Sequence, residues 1–151
     1  MAPLDRSREA APHDIQFPID SRSTDLVGTI TLPALDVEGR HFSQMAIGAD
    51  RSDEAIEYGH DAFEETTDYA TSAPGYIAEA TGHVTIIADR RDRVLLGAFI
   101  AAPGAPDAIG EAVLAIKVRT PVEVLADTIH PFPTTVRVMG GLFSQAAHRE
   151  G

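Results

Sequence analysis

Two apolar runs of strand length flank a pentapeptide made only of charged residues. This arrangement constrains the fold more than any other feature of the chain. His83–Ala88 reads His-Val-Thr-Ile-Ile-Ala, and Val94–Ala102 reads Val-Leu-Leu-Gly-Ala-Phe-Ile-Ala-Ala. Between them lies Asp89-Arg90-Arg91-Asp92-Arg93, a polar run only long enough for a turn. Branched and aliphatic residues on either side of a polar turn predict a hairpin. Apolar residues occupy both parities in each run. Because successive strand side chains face opposite ways, the sheet is expected to be covered on one face and partly covered on the other.

Helical patterns follow the hairpin. Pro103-Gly104-Ala105-Pro106 ends the sheet, and Ile109, Ala112, Val113 and Ile116 then recur at i, i+3, i+4 and i+7. Glu111, Lys117 and Arg119 lie off that stripe. Thr120, Pro121 and Glu123 have the spacing of a capping box, predicting a second helix capped by Thr120 and running to about Ile129. His130-Pro131-Phe132-Pro133-Thr134 halts it, since two prolines cannot continue a helix. A last helix is expected from Thr135 to His148, weakened in the middle by Gly140-Gly141.

Upstream, Phe42–Gly48 suits a strand, and Asp50 is placed to cap a short helix over Arg51–Tyr58. Gly59 follows where a left-handed turn needs no Cβ. His60–Ala70 reads equally as a strand or a short helix. Leu26–Leu35 has the composition of one strand limited by Gly28 and Pro33. The first 25 residues, with Pro3, Pro12 and Pro18, read as a loose arm. Residues 1–38 are therefore an unassigned arm and 39–148 one domain, the usual count for 151 residues.

Composition removes several chemistries. The chain has no cysteine, so it contains no disulfide, thiolate zinc site, iron–sulfur cluster or dithiol pair. A net charge of −11 argues against nucleic acid and anionic membranes, and the one basic cluster, Arg90, Arg91 and Arg93, is interrupted by Asp92. No run of about 18 apolar residues is present to span a membrane, and Met1–Ala11 lacks the apolar segment of a secretory signal. A cytoplasmic protein is expected. The six histidines (His13, His41, His60, His83, His130, His148) show no H-x-x-x-H or H-E-x-x-H spacing, so no metal site is expected. There is no G-x-S-x-G elbow. No two glycines are separated by a single residue, so G-x-G-x-x-G is absent, as is the P-loop.

Four segments in fixed order carry an identity. They are Thr-Gly-His-Val-Thr-Ile-Ile-Ala-Asp (Thr81–Asp89), Val-Leu-Leu-Gly-Ala-Phe-Ile-Ala-Ala-Pro (Val94–Pro103), Ile-Gly-Glu-Ala-Val-Leu-Ala-Ile-Lys (Ile109–Lys117) and Val-Glu-Val-Leu-Ala-Asp-Thr-Ile-His-Pro-Phe-Pro-Thr (Val122–Thr134). Together they resemble the C-terminal dimerisation domain of the pyridine nucleotide-disulfide oxidoreductases, which include dihydrolipoamide dehydrogenase, glutathione reductase and mercuric reductase. Phe42–Gly59 resembles that domain's entry, so the likeness covers about Gly39 to Ala147. It implies an α+β fold of two layers, a mixed or antiparallel sheet with helices packed on one face. It also implies a two-fold homodimer in which one loop reaches the partner subunit's flavin.

In that family the loop usually reads His-x-His-Pro-Thr, with a glutamate a few residues later. The second histidine is the acid/base for the dithiol, and the glutamate orients it. The matching positions here are Phe132 and Arg137; neither a phenyl ring nor a guanidinium does that work. No catalytic residue is therefore assigned. Phe132, Pro133 and Thr134 are left as contacts to a partner's FAD, with the Phe132–Pro133 bond expected cis and Phe132 exposed. Phe132 read without the resemblance is equally a core or interface aromatic. His130 reads as a helix-end histidine meeting terminal carbonyls, and Glu111 as a solvated flank residue.

Two function classes follow, with an independent enzyme acting through His130 and nearby carboxylates as a third. One is the dimerisation domain of an FAD- and NAD(P)-dependent oxidoreductase, without its nucleotide-binding domains, holding no cofactor and inactive alone. The other is a free-standing assembly module that homodimerises or docks on a separately encoded flavoprotein subunit. In both, Val136, Val138, Met139, Leu142 and Phe143 are expected to exceed what one small domain must cover, and so to drive self-association.

Overall fold

The computed structural model describes residues 34–35, 41–42, 44–49 and 51–149. The hairpin lies at its centre. β5 (His83–Asp89) and β6 (Leu95–Ala101) pair antiparallel, with β4 (Ala62–Asp68) outside β5 and β3 (Gln44–Gly48) outside β6. The order β3-β6-β5-β4 is antiparallel throughout. A separate two-residue ribbon joins β1 (Ala34–Leu35) to β2 (His41–Phe42). β1 overlaps the expected Leu26–Leu35 strand, whose other residues lie outside those described, as do Asp50 and the arm.

Side-chain alternation explains the two-sided apolar pattern. Phe63, Val84, Ile86, Ala88, Leu95, Ala98 and Ile100 face one way, into the main core with α3 (Ala105–Val118) and α5 (Thr135–His148). Their neighbours Ala62 and Ile87 face the other way, packing with Leu96, Val94 and Ala55 of α1 (Ser52–Glu57). That second face stays partly open: Glu64, Thr66 and His83 on it are exposed. Full burial of one large aliphatic or aromatic side chain stabilises by about 1.5–3 kcal/mol, so Ile86, Ile100, Leu142 and Phe143, each 0% exposed, dominate the core.

Several expectations need correction. Of the two readings of His60–Ala70 the strand holds, as β4 over Ala62–Asp68, but it stops short of Ala70 because a 3₁₀ turn covers Tyr69–Thr71. α2 (Ala73–Ala78) had no periodic signal; it is six residues long, starts from Ser72 and has a proline in its first turn. Val113 is exposed, because Ala105, Ala108, Ala112 and Ala115 line the sheet side of α3. Small residues let that helix settle close to the strands, which turns Val113 and Leu114 outward.

Thr120 does not cap α4 (Val122–Asp127). Its N–H donates to Ala115 O and closes α3 behind Arg119, which adopts φ 54°. Pro121 takes the cap position instead, and α4 stops at Asp127 rather than near Ile129. Met139, Leu142 and Phe143 lie within the domain's own core and Val136 and Val138 are partly buried against it. The α5 stripe is thus not a spare interface.

Candidate functional site

The loop between α4 and α5 is where sequence and structure concentrate interest, and short-range bonds shape both its ends. Thr128 Oγ1 donates to Val124 O at 2.7 Å, closing α4. At the other end Thr134 caps α5, its Oγ1 accepting the Arg137 N–H at 3.2 Å. Thr135 Oγ1 donates to Pro103 O at 2.7 Å, which leaves the Tyr69 hydroxyl, 2.9 Å away, to donate to Thr135. A cleft of about 240 Å³ opens beside this exit, lined by Gly104, Asp107, Ala108, Thr134, Thr135 and Val136.

The middle of the loop projects outward. Ile129 is 92% exposed and Phe132 72%. The Phe132–Pro133 peptide bond is cis. At 72% exposure Phe132 is no core residue of this domain. Pro133 is exposed beside it, Thr134 half-buried, and Arg137 exposed one turn into α5.

His130 points the opposite way. Its side chain is 4% exposed, and Nε2 lies 2.8 and 3.0 Å from the two carboxylate oxygens of Glu111 on α3. The ring is tilted against Phe143, with centroids 6.1 Å apart, and rests on Gly140. A Cβ at Gly140 would stand 2.5 Å from His130 Nδ1, so this position must be glycine for the ring to fit. The apparent weak point of the last helix is the seat of a histidine, and α5 runs through it unbroken. The helix-end reading of His130 and the solvated reading of Glu111 are both overturned. An acidic residue abutting an apolar stripe and a lone histidine before Pro-x-Pro were signals in the sequence, but nothing there set the distance between them.

A second histidine–carboxylate pair lies at the hairpin turn. His60 Nδ1 is 2.9 Å from Asp89 Oδ2, while Asp89 Oδ1 accepts the N–H groups of Arg91 at 2.9 Å and Asp92 at 3.0 Å. Burial by itself pushes the Asp89 carboxyl up. The donors from Asp92, His60 and Arg91 outweigh it and hold the group below its usual range. His83 stacks on Phe99 at 5.1 Å, and His148 Nδ1 meets Ser144 O at 2.7 Å. Among the described residues no three His, Asp or Glu side chains converge on a metal position.

Comparison with known proteins agrees with this geometry. The family described as pyridine nucleotide-disulphide oxidoreductase, dimerisation domain, matches residues 47–141. A dihydrolipoyl dehydrogenase of Thermus scotoductus is 36% identical over 73 residues, 46% of this chain and 16% of that protein. Dihydrolipoyl dehydrogenase 3 of Pseudomonas aeruginosa is 39% identical over 56 residues, 37% of this chain and 12% of that protein. Among solved structures, LpdA of Mycobacterium tuberculosis superposes with TM-score 0.63 at 24% identity, over 85% of this chain and 26% of its own. The Cu(II) complex of the HOCl-induced flavoprotein disulfide reductase RclA of Escherichia coli gives 0.64 at 20% identity, over 83% and 26%. The chain thus spans about a quarter or less of each of these proteins.

Proposed function

Because the chain belongs to the pyridine nucleotide-disulphide oxidoreductase dimerisation-domain family, we propose that it is the self-associating interface domain of an FAD- and NAD(P)-dependent oxidoreductase. One observation carries the reading: the loop over 128–134 holds Phe132 and Ile129 out to solvent beside an apolar helix flank. Glu111 ties the loop to α3, and Leu114, three residues further along that helix, is 63% exposed, with Val118 beyond it at 61%. These side chains form a rim that a partner subunit would cover.

On this reading Phe132, Pro133 and Thr134 lie against the partner subunit's flavin. The fit is that of one wall. Phe132 offers a flat exposed ring, whereas no G-x-G-x-x-G turn exists in these 151 residues to cradle a pyrophosphate. FAD and NAD(P) are then held by nucleotide-binding domains supplied outside these residues. The flavin, when bound, supplies the electron transfer. This chain's loop contributes an aprotic surface: Phe132 has no exchangeable proton, and the Arg137 guanidinium accepts none. It excludes water from the ring and does not serve a dithiol as acid or base.

Sedimentation equilibrium of the 151-residue chain tests this. The expected result is a colourless protein at twice the chain mass. A strictly monomeric mass at high micromolar concentration would overturn the reading. So would yellow protein that keeps stoichiometric FAD through gel filtration.

A further inference from the structure

Between Asp127 and Thr134 only one side chain is buried, and it is His130. Ile129, Pro131, Phe132 and Pro133 all face solvent. Thr134 and Thr135 fasten the loop's exit through Arg137, Pro103 and Tyr69. Its entry has the Thr128–Val124 bond, which is internal to α4. The hydrogen bond that joins the loop's centre to another element is therefore His130 to Glu111, while the same ring packs on Phe143 and Gly140 of α5. An aliphatic side chain would fill the same space without the desolvation cost of a polar pair. What a hydrogen-bonded imidazole adds is direction. Nε2 is aimed at a carboxylate on α3, and Gly140 fixes the ring from below.

We infer that Glu111 and His130 are positioning residues which pin the loop to α3, so that Ile129 and Phe132 are presented on a preformed surface and not on a mobile one. The inference deepens the proposed function and rests on it for what that surface meets. Pre-organisation matters because ordering a loop on binding subtracts from affinity. The pair acts through Phe132 and touches no reacting group.

The test uses the full chain and the variants Glu111→Ala and Glu111→Gln. ¹⁵N relaxation reports the backbone order parameters of Ile129, His130 and Phe132, and sedimentation equilibrium reports association. Glu111→Ala is expected to keep the core fold by circular dichroism. Its loop order parameters should fall from the rigid range near 0.85 to below about 0.6. Association should weaken at least roughly tenfold, a size typical of a lost anchor. Glu111→Gln keeps an acceptor for an Nε2–H and should restore both. Adding Phe132→Ala to Glu111→Ala should cost less than Phe132→Ala alone, since both act on one group. Gly140→Ala, which puts a methyl where the ring rests, is the second variant should Glu111→Ala not fold; it should loosen the loop with Glu111 in place.

Loop order unchanged in Glu111→Ala and Gly140→Ala would overturn the inference whatever the oligomeric state. A Glu111→Gln as disordered as Glu111→Ala would overturn it as well. A loop that loosens in a chain found to be monomeric would uphold the positioning role and refute the dimer reading, so the two fail separately.

Discussion

The two histidine–carboxylate pairs are built in opposite senses. At the hairpin turn the acid is sealed in, with Asp89 at 0% side-chain exposure and His60 on the rim at 23%. Beside the α4–α5 loop the imidazole is sealed in, with His130 at 4% and Glu111 on the rim at 23%. Their surroundings differ in the same way. Around Asp89 the charges interlock, with Arg90 on Asp61 at 3.0 Å, Arg119 on Asp92 at 3.1 Å and Arg93 on Glu123 at 2.6 Å. Around His130 the ring packs on buried Phe143, and the flanking loop side chains Ile129, Pro131 and Phe132 are apolar and face out. Similar chemistry therefore closes the fold in one place and holds a surface open in the other.

The sharpest way to break that contrast is at the buried acid. Asp89→Ala strands two backbone N–H groups and the His60 ring, and is expected to lower unfolding free energy by about 3–5 kcal/mol in urea titration. A loss below about 1 kcal/mol would mean the turn is not locked from within. Phe132→Ala should do the reverse. Stability should stay within about 0.5 kcal/mol, while association loses about 2 kcal/mol, roughly thirtyfold in Kd. Equal losses in both measurements would erase the distinction between the two regions.

Smaller effects sharpen it. Arg93 Nη2 donates to Ala147 O at 2.6 Å and Nη1 to Arg149 O at 3.3 Å, so it closes the C-terminal end of α5 from the hairpin turn. Arg93→Ala should cost about 1–2 kcal/mol in thermal unfolding, discounted because the side chain is 31% exposed. The pH dependence has a definite sign. The Asp89 folded-state pKa lies below its ordinary 3.8, so its contribution is present above that value and is lost as pH falls through the folded pKa. Glu123, held low by its own backbone N–H and then by Arg93, adds in the same direction. Acid titration of stability should therefore be shallower in Asp89→Asn than in the parent; an unchanged slope would remove Asp89 as a source. Least affected is Arg119→Ala, whose half-exposed bond to Asp92 should be worth under about 0.5 kcal/mol by the same unfolding assay.

What could be read from the chain alone was whatever local bonding decides. α5 runs from Thr135 to His148 as expected, because Thr134 caps it through a bond three residues long and Pro133 bars a longer start. The hairpin is equally local, since adjacent strands and the short charged turn over residues 90–93 leave one pairing open. Gly59 turns left-handed at φ 89° for the same kind of reason. Family resemblance, carried by the Leu-Gly-Ala, Ile-Gly-Glu-Ala and His-Pro-Phe-Pro-Thr runs, was also legible without coordinates.

Tertiary packing decided the rest. Periodicity tells which residues share a helix face but not how close the sheet lets that face approach, so four alanines and not Val113 sit against it. A capping pattern at Thr120 lost to the closure of the preceding helix, which needed the same N–H. Above all, His130 and Glu111 are 19 residues apart, and each reads as an ordinary surface group in its own segment. The sequence supplied both partners and the glycine beneath them. Only the packing of α3 beside the α4–α5 loop brings the imidazole within 3 Å of a carboxylate, because a ring taken out of water needs a hydrogen-bond partner where it is buried.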